Sequence, residues 1–155
     1  MSQKTVKRSR ELFDSGFYCA ESVLMAVAEH FNIQSEIIPK IATGFCSGMA
    51  RTNGLCGALT GGILAINLLT GRSQPETPVD NNYLLVQQFL TKFQKTHGSL
   101  NCSGLIPCDI SQPEGLRYFR SNHLIDTCRQ IVGSSTGMVL EVIQYFNENS
   151  SSENE

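Results

Sequence analysis

The stretch from Leu55 to Leu69 constrains the fold most, because it is almost wholly apolar and contains three glycines. At about 15 residues it is shorter than the roughly 20 apolar residues that a membrane-spanning helix requires. A helix that is apolar on all sides is buried in the core of a protein. The sequence therefore predicts a buried central helix over 55–70, ending at Gly71, in a protein that does not span a membrane.

The rest of the chain predicts further helices and no strand. Apolar residues recur at helical spacing in several other segments, and glycines follow the ends of some of them. Predicted helices cover 3–15, 18–31, 81–97, 114–121 and 123–147, with a short helix beginning at Ser35. Segments 44–54 and 99–113 are predicted to be loops, and two glycines, Gly133 and Gly137, indicate a break or a close packing contact in the last helix. The expected fold class is all-α, a single-domain multi-helix bundle with a central glycine-containing buried helix.

Length and charge limit the number of domains and the class of partner. The chain has 155 residues, of which 41% are hydrophobic, so we expect one domain over 1–146. Residues 147–155 contain no apolar side chain and are expected to form a disordered polar tail. A net charge of −2 lacks the basic excess that nucleic-acid binding requires. The N-terminal residues show no signal-peptide pattern, so a cytoplasmic location is expected.

Six cysteines carry the candidate chemistry: Cys19, Cys46, Cys56, Cys102, Cys108 and Cys128. Two of them, Cys19 and Cys56, fall at predicted helix starts. There the unpaired amides and the positive end of the helix dipole favour a thiolate. Cys56 is expected to be the most reactive thiol, because Gly57 follows it and leaves its sulfur uncovered. No GxxxxGK[ST], HExxH or CxxCH motif is present in the sequence.

Small residues recur every four positions along the predicted central helix, at Gly57, Gly61 and Ala65. Residues at this spacing lie on one face of a helix, so another backbone can approach closely. We expect Gly57 and Gly61 to lie beside a bound cofactor or a shared thiol pair. The same face could also serve as the contact of a homodimer.

The order of Cys19, the CGALTG segment at 56–61, Cys102 and Cys128 resembles the C_GCAxxG_C_C family of small redox-active proteins from bacteria and archaea. Three flanking segments agree with it: LFDSGFYCAESVL, IATGFCSGMART and FLTKFQKTHGSLNCSGL. The resemblance covers about residues 8–135 and implies a compact helical domain with four functional cysteines. Family members are often encoded near transporter genes, and a related helical domain occurs in a multihaem cytochrome with an iron–sulfur centre.

The resemblance assigns the site to Cys19, Cys56, Cys102 and Cys128, as catalytic thiols or as metal ligands. Cys46 stands where relatives more often have glycine, and Cys108 lies in a loop position that is usually not cysteine. Both are therefore interpreted as incidental, although both can lie near the site.

Three function classes remain open. The first, favoured by the resemblance, is a redox protein whose cysteines hold an iron–sulfur cluster or cycle between thiol and disulfide, with an unknown redox partner. The second is a structural zinc site that joins helices. The third is a helical binding module, associated with a transporter, whose cysteines are inert. The long intervals between the cysteines contain no CxxC pair and do not separate cluster from dithiol.

Overall fold

Residues 2–152 are described by a computed structural model, with side chains described through residue 148. This part of the chain contains no β-strand, only one isolated antiparallel bridge between Leu55 and Asn101. The predicted all-α class is confirmed. The helices are α1 (Ser2–Asp14), α2 (Cys19–His30), α3 (Cys46–Arg51), α4 (Gly57–Thr70), α5 (Asp80–His97), α6 (Cys102–Leu105), α7 (Pro113–Ser121) and α8 (Ile125–Ser152), and a 3₁₀ helix covers Lys40–Phe45.

Helix α4 is the centre of the bundle, as its all-round apolar sequence predicts. It packs against α2, α5 and α8, and its Leu59 and Ile66 side chains are fully buried. Two of its glycines allow close packing. A Cβ on Gly61 would lie 2.5 Å from the Ala20 carbonyl oxygen, and one on Gly62 would lie 2.4 Å from the Phe89 ring. No helix in the described part of the chain is long and apolar enough to cross a membrane.

Helix α8 is continuous across both of its glycines. A Cβ on Gly133 would come within 2.3 Å of the Arg10 guanidinium, so the glycine marks a close contact with α1, not a break. The polar tail was expected to begin at residue 147. The structure continues α8 through Ser152, and residues 153–155 lie outside the described residues.

Helix α3 differs from the loop predicted over 44–54, because it is a turn of left-handed helix. Its φ angles are 57° at Ser47, 66° at Gly48, 58° at Met49, 57° at Ala50 and 64° at Arg51. Left-handed helix costs L-residues roughly 1–2 kcal/mol each, so it is rarely seen over several consecutive residues. The Thr52 amide donates a hydrogen bond to the Gly48 carbonyl at 3.1 Å and closes the turn.

The isolated bridge joins two segments that are far apart in the sequence and that each carry a cysteine. The Cys56 amide donates a hydrogen bond to the Leu100 carbonyl, and the Cys102 amide donates one to the Gly54 carbonyl, both at 2.8 Å. The bridge therefore fixes the start of α4 beside the start of α6. It does so through the backbone of the two cysteines themselves.

Candidate functional site

Four cysteines from four different helices line one cavity of about 200 Å³: Cys19, Cys56, Cys102 and Cys128. Cys19 begins α2, Cys56 caps the start of α4, Cys102 begins α6, and Cys128 lies in the first turn of α8. The rest of the wall is mainly apolar. It includes Phe13, Leu105, Ile106, Ile110, Leu116, Phe119 and Ile131. The cysteines that the resemblance selects thus lie around a common space.

Cys19 is partly exposed, and its sulfur accepts a hydrogen bond from a backbone amide of the left-handed turn. The Ser47 amide donates a hydrogen bond to Cys19 Sγ at 3.4 Å. The cap of α2 fixes the backbone on which Cys19 lies, because the Tyr18 amide donates to the Glu21 carboxylate at 2.9 Å. The Cys19 sulfur is therefore positioned by hydrogen bonds from the cap of α2 and from the left-handed turn.

Cys56 does not have the activated thiol that its helix-start position predicted. It is the N-cap residue of α4 but only 8% exposed. Burial raises the pKa of Cys56 to about 11, although the backbone amides of Leu59 and Ala58 act to lower it. The prediction of a low-pKa Cys56 is therefore wrong, because desolvation outweighs the helix terminus.

Cys102 and Cys128 are also held as neutral thiols. Burial raises the pKa of Cys128 to about 12, with a further contribution from the charges of Cys56, Cys102 and Cys108. Burial, followed by the charge of Cys108, raises the pKa of Cys102. The three thiols at this wall of the cavity therefore interact with one another, and each favours the protonated form at neutral pH.

Gly57 lies beneath the sulfur of Cys19, whereas the sequence predicted that it uncovers Cys56. A Cβ on Gly57 would lie 2.2 Å from Cys19 Sγ. Gly57 lines the cavity. Gly61 has a different place, since it is buried in the contact of α4 with the backbone of Ala20. Its position accounts for close helix packing and gives no contact with the cavity.

Cys46 lies beside Cys19, although the sequence interpretation set it aside as incidental. A Cβ on Gly57 would be 3.1 Å from Cys46 Cα, next to the Cys19 sulfur. A hydrogen bond with Cys19, followed by burial, raises the pKa of the Cys46 thiol. The only sequence signal was its position ten residues before Cys56. The left-handed turn follows Cys46 directly, over residues 47–51, and the hydrophobic pattern of the sequence did not indicate it.

Cys108 is half-buried and is not part of the cavity lining. It packs with Cys128 against the small apolar cluster of Cys102, Ile106 and Ile110. Burial, followed by the charge of Asp109, raises the pKa of Cys108. Its place behind Cys102 agrees with the interpretation that it lies near the site.

The cysteines are not arranged as metal ligands. A thiolate zinc site needs several sulfurs around the ion, each at a Zn–S distance of about 2.3 Å. An iron–sulfur cluster likewise needs several cysteine sulfurs around a common centre. Over the residues that the structure describes, no three His, Cys, Asp or Glu side chains are grouped to hold a metal ion, and all six cysteines are free thiols. This donor arrangement fits neither the iron–sulfur cluster nor the zinc site that the sequence left open as alternatives to a dithiol, and the chemistry developed below uses no metal.

Comparison with known proteins gives one family and one relative. The family described as "Putative redox-active protein (C_GCAxxG_C_C)" matches residues 17–142, a range that contains all six cysteines. An uncharacterized protein of Archaeoglobus fulgidus is 33% identical over 115 residues, which cover 68% of this chain and 76% of the relative. No solved structure matches the chain.

Proposed function

Because the chain belongs to the redox-active C_GCAxxG_C_C family, we propose that it exchanges electrons by thiol–disulfide chemistry at the cysteine-lined cavity. The observation that carries the proposal is the position of Cys19. Cys19 is partly exposed, its sulfur accepts the Ser47 amide hydrogen bond, and it lines the cavity together with other thiols.

The reaction begins when the Cys19 thiolate attacks a disulfide of the substrate, R–S–S–R. A bond forms between Cys19 Sγ and one substrate sulfur, the substrate S–S bond breaks, and the other sulfur leaves as a thiolate that takes up a proton. A second protein thiol then attacks Cys19 Sγ, and the remaining substrate thiolate leaves. Two protein thiols are oxidised to one disulfide, and one substrate disulfide is reduced to two thiols.

The cavity wall favours a small disulfide that carries negative charge. Two arginines, Arg51 and Arg120, are part of the lining, and no acidic side chain is among the described residues that form it. Arginine recognises carboxylates through paired hydrogen bonds. Oxidised glutathione, which carries carboxylates, is therefore the preferred probe, and cystamine, a disulfide with two ammonium groups, is its counterpart of opposite charge.

The test is an equilibrium titration of the folded protein against mixtures of reduced and oxidised dithiothreitol, with free thiols counted at each point. We expect two thiols per chain to be lost in one two-electron transition, and a Cys19→Ser variant to lose that transition. The kinetic arm compares the initial rate of Cys19 oxidation by oxidised glutathione and by cystamine at low salt, where we expect glutathione to react faster. Thiols that stay reduced in the folded protein at every ratio would contradict the proposal and favour inert cysteines.

Metal analysis separates this chemistry from the cluster and zinc alternatives. The protein is purified without oxygen, and its iron, its zinc and its visible absorption are measured. We expect neither metal at one equivalent per chain. Stoichiometric iron with a visible absorption band, or stoichiometric zinc without one, would contradict the dithiol proposal.

A further inference from the structure

We propose that Cys46 is the thiol that reacts with Cys19, so that the redox-active disulfide of this chain is Cys19–Cys46. The inference rests on the proposed function and names the second thiol of that same site. It assigns a role to a cysteine that the family pattern does not include.

The two cysteines meet at the first residue of α4. A Cβ on Gly57 would lie 2.2 Å from Cys19 Sγ and 3.1 Å from Cys46 Cα, so both atoms lie close to the same point. A disulfide requires its two Cα atoms to be within about 7 Å. Because residue 57 is a glycine, no side chain on α4 separates Cys19 from Cys46.

A second set of contacts holds Cys46 at the start of α2. The Cys46 thiol donates a hydrogen bond to the Ala42 carbonyl at 3.6 Å, and the amide of the next residue, Ser47, donates one to Cys19 Sγ at 3.4 Å. The Glu21 carboxylate also accepts a hydrogen bond from Thr43 Oγ1 at 2.7 Å, which ties α2 to the 3₁₀ helix that precedes Cys46. The segments that carry Cys19 and Cys46 are therefore also joined by a hydrogen bond outside the pair itself.

The remaining thiols form a separate group. Cys56 interacts electrostatically with Cys102, and Cys128 interacts with Cys56, Cys102 and Cys108. None of these interactions involves Cys19, whereas the leading interaction of Cys46 is with Cys19. The six thiols therefore divide into the close pair Cys19 and Cys46 and a group of the other four.

The order of the two steps follows from access. Cys19 lines the cavity, whereas Cys46 is 3% exposed and its thiol donates a hydrogen bond to the Ala42 carbonyl at 3.6 Å. Cys19 therefore reacts first with the external disulfide, and Cys46 reacts second. The Cys46 thiol gives its proton to solvent and attacks Cys19 Sγ. The Cys46–Cys19 bond forms, the bond from Cys19 to the substrate sulfur breaks, and that sulfur leaves and takes up a proton.

The disulfide pairing can be identified directly from tryptic peptides. Trypsin cuts after Arg10, Lys40, Arg51 and Arg72, so Cys19, Cys46 and Cys56 fall in three different peptides, 11–40, 41–51 and 52–72. The folded full chain is treated with oxidised glutathione, blocked with iodoacetamide and digested without reductant. We expect a linked peptide that joins 11–40 to 41–51. A linked peptide that joins 11–40 to any other cysteine peptide would overturn the assignment and leave the proposed function intact.

Variants provide a second readout. In Cys46→Ala, we expect the glutathione adduct on Cys19 to persist about tenfold longer or more than in the wild type, because the resolving thiol is missing. Cys108→Ala is the matched control, since Cys108 is outside the cavity lining, and its adduct should decay at the wild-type rate. Equal lifetimes in Cys46→Ala and wild type would overturn the assignment. If oxidised glutathione forms no adduct and no disulfide in the folded wild type, the proposed function itself fails. The circular dichroism of each variant is compared with that of the wild type, and the wild-type peptide map decides the pairing if a variant does not fold.

Discussion

The sulfur of Cys19 fills the space that a side chain on Gly57 would need: a Cβ there would lie 2.2 Å from Sγ. The first residue of the central helix therefore supports the candidate nucleophile with its backbone alone. The same contact connects the geometry of α4 to the chemistry of α2, and it can be changed with a single methyl group.

Replacing Gly57 with alanine tests that contact. The added methyl must displace Cys19 Sγ from the Ser47 amide, so we expect the alkylation rate of Cys19 to fall about tenfold and the free energy of unfolding to fall by about 1–3 kcal/mol. Gly44→Ala is the matched control, because a Cβ on Gly44 would have no atom within 4 Å. The rates come from mass spectrometry of iodoacetamide-labelled peptides. A Cys19 rate equal to wild type in Gly57→Ala would show that the sulfur has free space elsewhere.

The order of thiol reactivity is a second prediction. At near-neutral pH we expect Cys19 to be alkylated first in the reduced protein, because it lines the cavity, is partly exposed and accepts an amide hydrogen bond. Cys56 and Cys128 should react slowly, since their pKa values are about 11 and about 12. The control is the same labelling in guanidinium chloride, where the differences should largely disappear. Labelling of Cys56 ahead of Cys19 in the folded protein would reverse our interpretation of burial at this site.

The stability of the protein should fall at alkaline pH because of Cys56. Its pKa is about 11 in the folded protein, above the ordinary value of 9.0, so the folded state keeps the proton longer than the unfolded state does. The resulting stabilisation is fully present below about pH 9 and is lost as the pH rises through about pH 11. We expect a loss on the order of 1–2 kcal/mol from Cys56 between about pH 8 and about pH 10.5, measured by guanidinium unfolding.

Cys56→Ser isolates this contribution from other groups that titrate in the same range. Serine is a good N-cap residue and does not ionise at these pH values, so the variant should fold and show a shallower decline than wild type. Parallel declines in the two proteins would assign the alkaline loss to other groups.

Because α3 is a left-handed turn, replacing one of its residues with glycine should raise the free energy of unfolding. Ala50 has φ 57° and is exposed, so Ala50→Gly should raise the free energy of unfolding by about 1 kcal/mol. At an exposed position of the right-handed α5, Gln87→Gly should instead lower it by about the same amount. Both are measured by chemical denaturation. A loss of stability in Ala50→Gly would mean that α3 is not left-handed in solution.

The helices other than α3 and α6, which fall in the predicted loops, were readily predicted, since their cause is local. The apolar run before Gly71 predicted the start of α4 to within two residues, and the helical spacing in α5 predicted the end of that helix at His97. The four family cysteines also line one cavity, which agrees with the expectation that they converge. These features depend on patterns of a few residues and on a resemblance over most of the chain.

The missed features depend on tertiary contacts. Cys56 has a helix-start position that a sequence can indicate, but its burial comes from α6, α8 and the residues around them. The left-handed turn has only one glycine among its five residues of positive φ, so its residue types do not predict its handedness. This turn brings the Ser47 amide to the Cys19 sulfur. The position of Cys46 beside Cys19 therefore could not be predicted from the spacing of the cysteines in the sequence.

The order in which the chain is synthesised determines when the cavity can form. Its lining residues extend from Phe13 to Ile131, and Cys19 and Cys128 stand near the two ends of that range. Chains are made from the N-terminus, so the ribosome must add nearly the whole lining before the last wall can close. Until then the early cysteines lack the residues that complete the cavity. The cavity is consequently one of the last features of the molecule to form, and a chain released before residue 128 lacks the last of the four cysteines that line it.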